Sequence, residues 1–180
     1  MKSGLTIKVN KANAILEALK TLGNRDVLVG VPAENSPRDD VPFGNAGIGY
    51  INEFGSPAQN IPPRPHLQPG VRSVEDKTTE QLKLAAEWIL EGKKDKAEKA
   101  LNKAGQIAVQ GIQRYMTTHD FEPLADPTVA ARARRGRKGA KVEVQNRQEG
   151  GTPNNANARP LIDTGNYRRS ITYVVRDKGE

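Results

Sequence analysis

The sequence predicts an α+β fold in which a small mixed or antiparallel sheet packs against two longer helices, with long extended loops or arms. Three observations carry that expectation. Residues 71–90 and 94–116 repeat apolar side chains with a helical period. Short runs at 5–9, 27–31 and 171–176 have strand composition. The 17 Gly and 12 Pro of the 180 residues fall largely between these segments, which makes much of the remainder loop and leaves a small core for one modest domain over 1–180.

Taken in order, Leu5-Thr6-Ile7-Lys8-Val9 alternates as a half-buried strand does, and Asn10 is positioned to cap a helix with Ile15, Leu16, Leu19 and Leu22 on one face, ended by Gly23-Asn24. Val27-Leu28-Val29-Gly30-Val31 reads as a strand buried on both faces and closed by Pro32. Residues 32–45 have loop composition. Ala46, Tyr50, Ile51 and Phe54 lie at helical spacing before Gly55, a natural stop. Residues 56–69, with Ile61, Pro62, Pro63, Arg64, Pro65, His66 and Leu67, form a stiff extended strap, because proline fixes its own φ and biases its predecessor. The first long helix, 71–90, carries a ragged apolar stripe with Trp88 as its large side chain, and Gly92 interrupts it. The second has a cleaner, alanine-rich stripe that permits close approach. Residues 119–160 read as a long flexible loop, in three parts: a Pro-containing turn after Phe121 and Leu124, a basic run, and a Gly/Asn/Pro-rich stretch. A short helix over 165–169 and a strand over 171–176 close the chain, the strand joining the sheet begun at Leu5.

Net charge is +7, which favours polyanionic partners and says nothing about fold. With no cysteine there are no disulfides or thiolate chemistry. No apolar run approaches the ~20 residues a membrane span needs, and MKSGLTIKVN lacks a signal-peptide core, so the expectation is a soluble, cytoplasmic chain.

The triplet Asp163-Thr164-Gly165 poses the sharpest chemical question. An aspartic protease needs two carboxylates sharing a proton, so one triplet serves only in a symmetric dimer. The bulky cationic Asn166-Tyr167-Arg168-Arg169-Ser170 that follows argues against such a dyad, and Asp163 reads instead as a helix N-cap. His66 and His119 stand far apart with no metal-ligand spacing, Gly44-Asn45-Ala46-Gly47 is a loop before a helix rather than a phosphate cradle, and nucleophile signatures are missing. The expectation is no enzyme, no metal and no cofactor. The basic run is the remaining signal: Arg132, Arg134, Arg135, Arg137, Lys138 and Lys141, with no acidic residue among them and no aromatic interleaving, suit contact with nucleic-acid phosphates without base reading.

The order of "VGVP", "YINEFGS", "IPPRPHLQPGV", two helices, "FEPLADPTVAARARRG" and "PLIDTGNYRRSI" resembles the virion-morphogenesis proteins of tailed bacteriophages, variously called tail-completion, neck or minor tail proteins at the head-to-tail junction. The resemblance spans residues 27–171. That family's pattern usually has Phe where His66 stands and Leu where Tyr167 stands. The resemblance implies an α+β subunit that closes into a ring, expected to be hexameric. Its partners would be the head connector or adaptor and the tail terminator or tail tube, with double-stranded DNA passing non-specifically through the lumen. The subunit would reside in the virion after assembly in the host cytoplasm, with no membrane contact. In that setting Phe54, the strap residues Ile61 to Leu67, Phe121 and Leu124 are candidate assembly contacts, and the basic run is the candidate DNA-facing surface. Stiff straps and arms that order on assembly suit the heterologous interfaces of a ring. The alternatives are a standalone non-specific nucleic-acid-binding protein and, more remotely, a dimeric aspartic protease using Asp163.

Overall fold

A 25-residue helix rich in alanine is long enough to span a small domain, and α5 (Lys94–Thr118) is the axis on which α3, α4 and both strands pack. The computed structural model describes residues 11–39 and 42–178. Around α5 the chain runs α1 (Ala12–Asn24), β1 (Arg25–Gly30), α2 (Gly44–Phe54), α3 (Leu67–Arg72), α4 (Glu75–Leu90), then α6 (Asp126–Arg134), α7 (Lys138–Gln148), α8 (Asn166–Ser170) and β2 (Thr172–Asp177). The fold is α+β, with a two-stranded antiparallel sheet packed against helices. The expected strand at 5–9 and its cap Asn10 lie outside the described residues.

Small side chains on α5 bring its neighbours close. A Cβ on Gly70 would stand 2.5 Å from the Ile112 Cα, so α3 meets α5 backbone to backbone, and a Cβ on Gly105 would collide with the Tyr173 ring of β2. The main core gathers Ile112, Met116, Tyr167 and Ile171, with Val29, Ile48 and Leu67 against them. A second cluster joins Ala85, Ala100 and Leu101 to Val27 and Val175 of the sheet. Here the strand expectation needs correction: β1 is not buried on both faces. Val27 and Val29 face α4, α5 and the core while Leu28, paired in register with Val174, is turned outward, the alternation of a half-buried antiparallel strand.

The predicted helix 71–90 is two helices. It breaks after Arg72, and Val71 belongs to α3, whose start at Leu67 shortens the extended strap to residues 61–66. The strap begins as a tight loop, closed by a Ser56–Ile61 bridge and turned at Asn60. Trp88 does not anchor the core; its ring is flanked by the Lys93 and Lys96 ammonium groups at 4.7 and 4.5 Å. The largest correction concerns residues 119–160, which are not a flexible loop. They fold as α6 and α7 around their own small core of Leu124, Val129, Ala140 and Ala158.

Candidate functional site

The sequence-predicted residues divide among three places. The first is the strap. Glu53, in the last turn of α2, accepts the backbone N–H groups of His66 and Leu67 at 2.8 and 2.9 Å and that of Gln68 at 3.2 Å, so a side chain from α2 caps α3. The His66 ring is fully buried. Its Nδ1 lies 2.8 Å from the Arg64 carbonyl and 3.2 Å from Glu53, which makes Nδ1 the protonated nitrogen, and its Nε2 accepts the Tyr167 hydroxyl at 2.5 Å. Burial lowers the His66 pKa against the opposing pull of the Arg64 carbonyl and Glu53, and burial together with Glu53 raises that of Tyr167. The ring is therefore a neutral structural link. His66 and Tyr167 stand 101 residues apart in the sequence and meet as one donor–acceptor pair.

Four of the ten candidate assembly residues thus have interior roles in the subunit. His66 and Arg64 are buried, the latter donating from Nε and Nη2 to the carbonyls of Glu122 and Pro123, and Phe121 and Leu124 are core side chains. Pro63, Pro65 and Phe54 are exposed, and Ile61, Pro62 and Leu67 are half-buried.

The second place is the joint between α6 and α7, where the basic run lies. Three of its six cations are engaged within the subunit. Arg132 Nη1 donates to the carbonyls of Arg159 and Ile162 at 2.8 and 3.0 Å, while Arg135 and Arg137 donate to the two carboxylate oxygens of Asp163 at 3.0 and 2.9 Å. This overturns the cap expectation for Asp163, since its carboxylate is turned toward the arginines. Gly165 with a left-handed φ precedes α8, and Thr164 Oγ1 accepts the Asn166 N–H. With both oxygens so occupied, Asp163 is poorly placed to share a proton with a second aspartate. Arg134, Lys138 and Lys141 are exposed, and these three are what remains of the candidate DNA-facing surface.

Two uncovered apolar faces form the third. The predicted α1 stripe is real as a helix, but none of α1 is buried: Ile15, Leu16 and Leu19 are 48, 55 and 50% exposed. On α2, Tyr50 and Phe54 are each 66% exposed and lie against one another with ring centroids 4.9 Å apart. Leu82 and Leu90 of α4 add to the exposed apolar surface.

Two groups that organise the subunit were missed in the sequence. Glu53 gave no signal, because a side-chain cap reaching across from another helix has no fixed spacing. Glu143 did, through its i, i+4 partner Arg147. It is buried and accepts from Arg147 at 2.9 Å, from the Asn154 N–H at 3.3 Å and from Asn157 at 3.5 Å. No family model, curated protein or solved structure matches the chain. Among the described residues no group of acidic, His or Cys side chains is arranged to hold a metal, and no helix is long and apolar enough to cross a membrane.

Proposed function

We propose that this chain is a structural subunit of a tailed-bacteriophage virion that closes into a ring at the head-to-tail junction, joins tail to head and passes DNA through its lumen. The observation that carries this reading is the pair of apolar faces on α1 and α2 that stand exposed among the described residues. Burying an Ile, Leu or aromatic side chain is worth about 1.5–3 kcal/mol, so helices that leave five of them standing out favour a partner. The two faces differ: one is an aliphatic stripe on a helix that packs on α4, the other an aromatic pair next to the strap. A surface that meets an unlike surface on the next copy builds a closed ring when the rotation permits. Exposed Arg134, Lys138 and Lys141 supply charge of the sign a DNA conduit needs, without base-reading geometry.

Sedimentation velocity and electron microscopy of the purified chain test this. The expected result is a concentration-dependent ring, with the double substitution Leu16→Asp and Leu19→Asp giving folded monomers. A wild-type chain that stays monomeric up to high micromolar concentration and does not join connector or tail preparations overturns the reading. A monomer that shifts duplex DNA at physiological salt would favour the standalone nucleic-acid-binding alternative, which the same exposed cations support.

A further inference from the structure

A cavity of about 310 Å³ lies where the main body meets the α6–α7 unit, between α2, the strap, α6 and the turn over residues 160–165. Among the described residues Arg64 and Arg132 bring cationic charge to its wall, and the one carboxylate there, Asp163, is already held by Arg135 and Arg137, which lie outside the wall. Arg64 is 6% exposed, and after its Nε and Nη2 bonds to backbone carbonyls its Nη1 has no acceptor among the described residues. Arg132 spends Nη1 on two carbonyls and leaves Nε and Nη2 without one. Burial lowers the Arg132 pKa, Asp163 counters it, and Arg135, Arg137 and Arg64 add to the lowering, so these like charges sit within reach of one another. With Arg64 buried and Arg132 half-buried, two neighbouring guanidinium groups with unused donors line the cavity, and an anion there would complete them. The hydroxyls of Thr128 and Thr164 are further donors in the same wall.

The backbone points to the same spot. Among the described residues, the non-glycine residues with left-handed φ are Asn60 (53°) and Leu161 (63°), and both line this cavity. Such conformations cost free energy and cluster where a site is being shaped.

We infer that this cavity binds a phosphate-type oxyanion, gripped by the free edges of Arg64 and Arg132 and by the threonine hydroxyls. An anion there would bridge the strap to α6, fixing the α6–α7 unit to the body. The inference does not depend on the ring reading. Free phosphate and a small phosphate monoester share this chemistry, and the volume admits either.

The test is calorimetric titration of the full chain with inorganic phosphate and, separately, glucose 6-phosphate, each against sodium chloride at equal ionic strength. Saturable binding of phosphate with a rise in melting temperature beyond the chloride control is expected. A tighter monoester assigns the site to a small phosphorylated molecule; equal or weaker binding assigns it to free phosphate. Arg132→Gln should weaken binding about tenfold or more, the scale of one charge-assisted hydrogen-bond donor, whereas Arg134→Gln, an equal charge loss on the exposed surface, should leave it unchanged. Absence of saturable binding by the wild-type chain overturns the inference, and so does a folded Arg132→Gln chain that binds as the wild type. Should Arg132→Gln fail to fold, the wild-type phosphate and chloride titrations decide alone.

Discussion

The main body and the α6–α7 unit are stabilised by different means. In the body, α2, α3, α5, α8 and β1 close on Ile112, Met116, Tyr167 and Ile171, α4 and the sheet close on Ala85, Ala100 and Leu101, and Gly70 and Gly105 let α3 and β2 approach α5. The α6–α7 unit has a smaller apolar cluster and is tied together by charge. Glu143 is buried among Arg147, Asn154 and Asn157, and Arg147 also donates to the Leu124 carbonyl and to Asp126. Asn155 reaches back to Asp120 and to the Phe121 carbonyl. An apolar core is tolerant, because a methylene lost costs little more than its own transfer and cavity terms. A buried ionic network is not, since removing one member strands the others.

Glu143→Gln should therefore have the largest effect of any single change considered for this molecule. It leaves Arg147 buried with one charge partner fewer, and losses of about 3–5 kcal/mol are usual when one member of a buried pair goes. Hydrogen exchange should show residues of α6 and α7 losing protection while α4 and α5 keep theirs. Equal loss across both regions would mean that the two are one cooperative unit. Burial tends to raise the Glu143 pKa, but the bonds from Arg147, Asn154 and Asn157 outweigh it and the net direction is down. A depressed folded-state value contributes stability above the ordinary carboxylate range, and that stability is lost as pH falls below about 4.3. In the Glu143→Gln chain that acid-sensitive component should disappear.

A smaller effect probes the His66–Tyr167 link inside the apolar body. Tyr167→Leu removes the donor to His66 Nε2 and leaves a buried acceptor unmatched, a cost of about 1–3 kcal/mol before any cavity is counted. Replacing both partners, His66→Phe with Tyr167→Leu, makes the pair apolar and should cost less than the two single changes summed, because no donor or acceptor of that pair remains. Strict additivity in chemical denaturation would show that the bond carries no coupling. His66 supplies its own pH signature. With its folded-state pKa lowered by burial, the unfolded chain takes up the proton first, so stability should fall as pH drops below about 6.5, and His66→Phe should flatten that slope.

The contrast also explains what was legible in the sequence. Helix α5 was readable to within two residues of its end because its buried positions, from Ala97 through Ala104 and Ala108 to Met116, follow one helical stripe. Gly55 and Gly92, both at left-handed φ, marked the ends of α2 and of the α4 hairpin arm. The helices of the α6–α7 unit bury mostly small residues and an ion pair, so its apolar periodicity is faint and its arginines read as a nucleic-acid-facing run. Asp163 was assigned to the nearest helix by spacing, whereas its partners come from 26 and 28 residues upstream, a contact that no local pattern encodes. The strap was legible as extended chain, but the inward aim of Arg64 and His66 was not, since Pro-rich sequence fixes backbone direction and leaves open which side chains face in.

The smallest expected effect on stability separates the engaged cations of the basic run from the exposed ones. Arg134, Lys138 and Lys141 stand on the surface, their side chains making no hydrogen bond or ion pair among the described residues, so changing all three to Gln should alter stability by no more than about 0.5 kcal/mol per site. Their effect on duplex DNA should be much larger. Each phosphate contact contributes close to 0.9 to the slope of log affinity against log salt, so the triple variant should lower that slope by roughly 2–3. Arg135→Gln with Arg137→Gln should behave oppositely, freeing Asp163 and loosening the α6–α7 joint while changing the salt slope less, because those charges are already neutralised within the subunit. Equal salt slopes for the two variants would mean that the Asp163 pairs open on contact with DNA and that all five cations act as one surface.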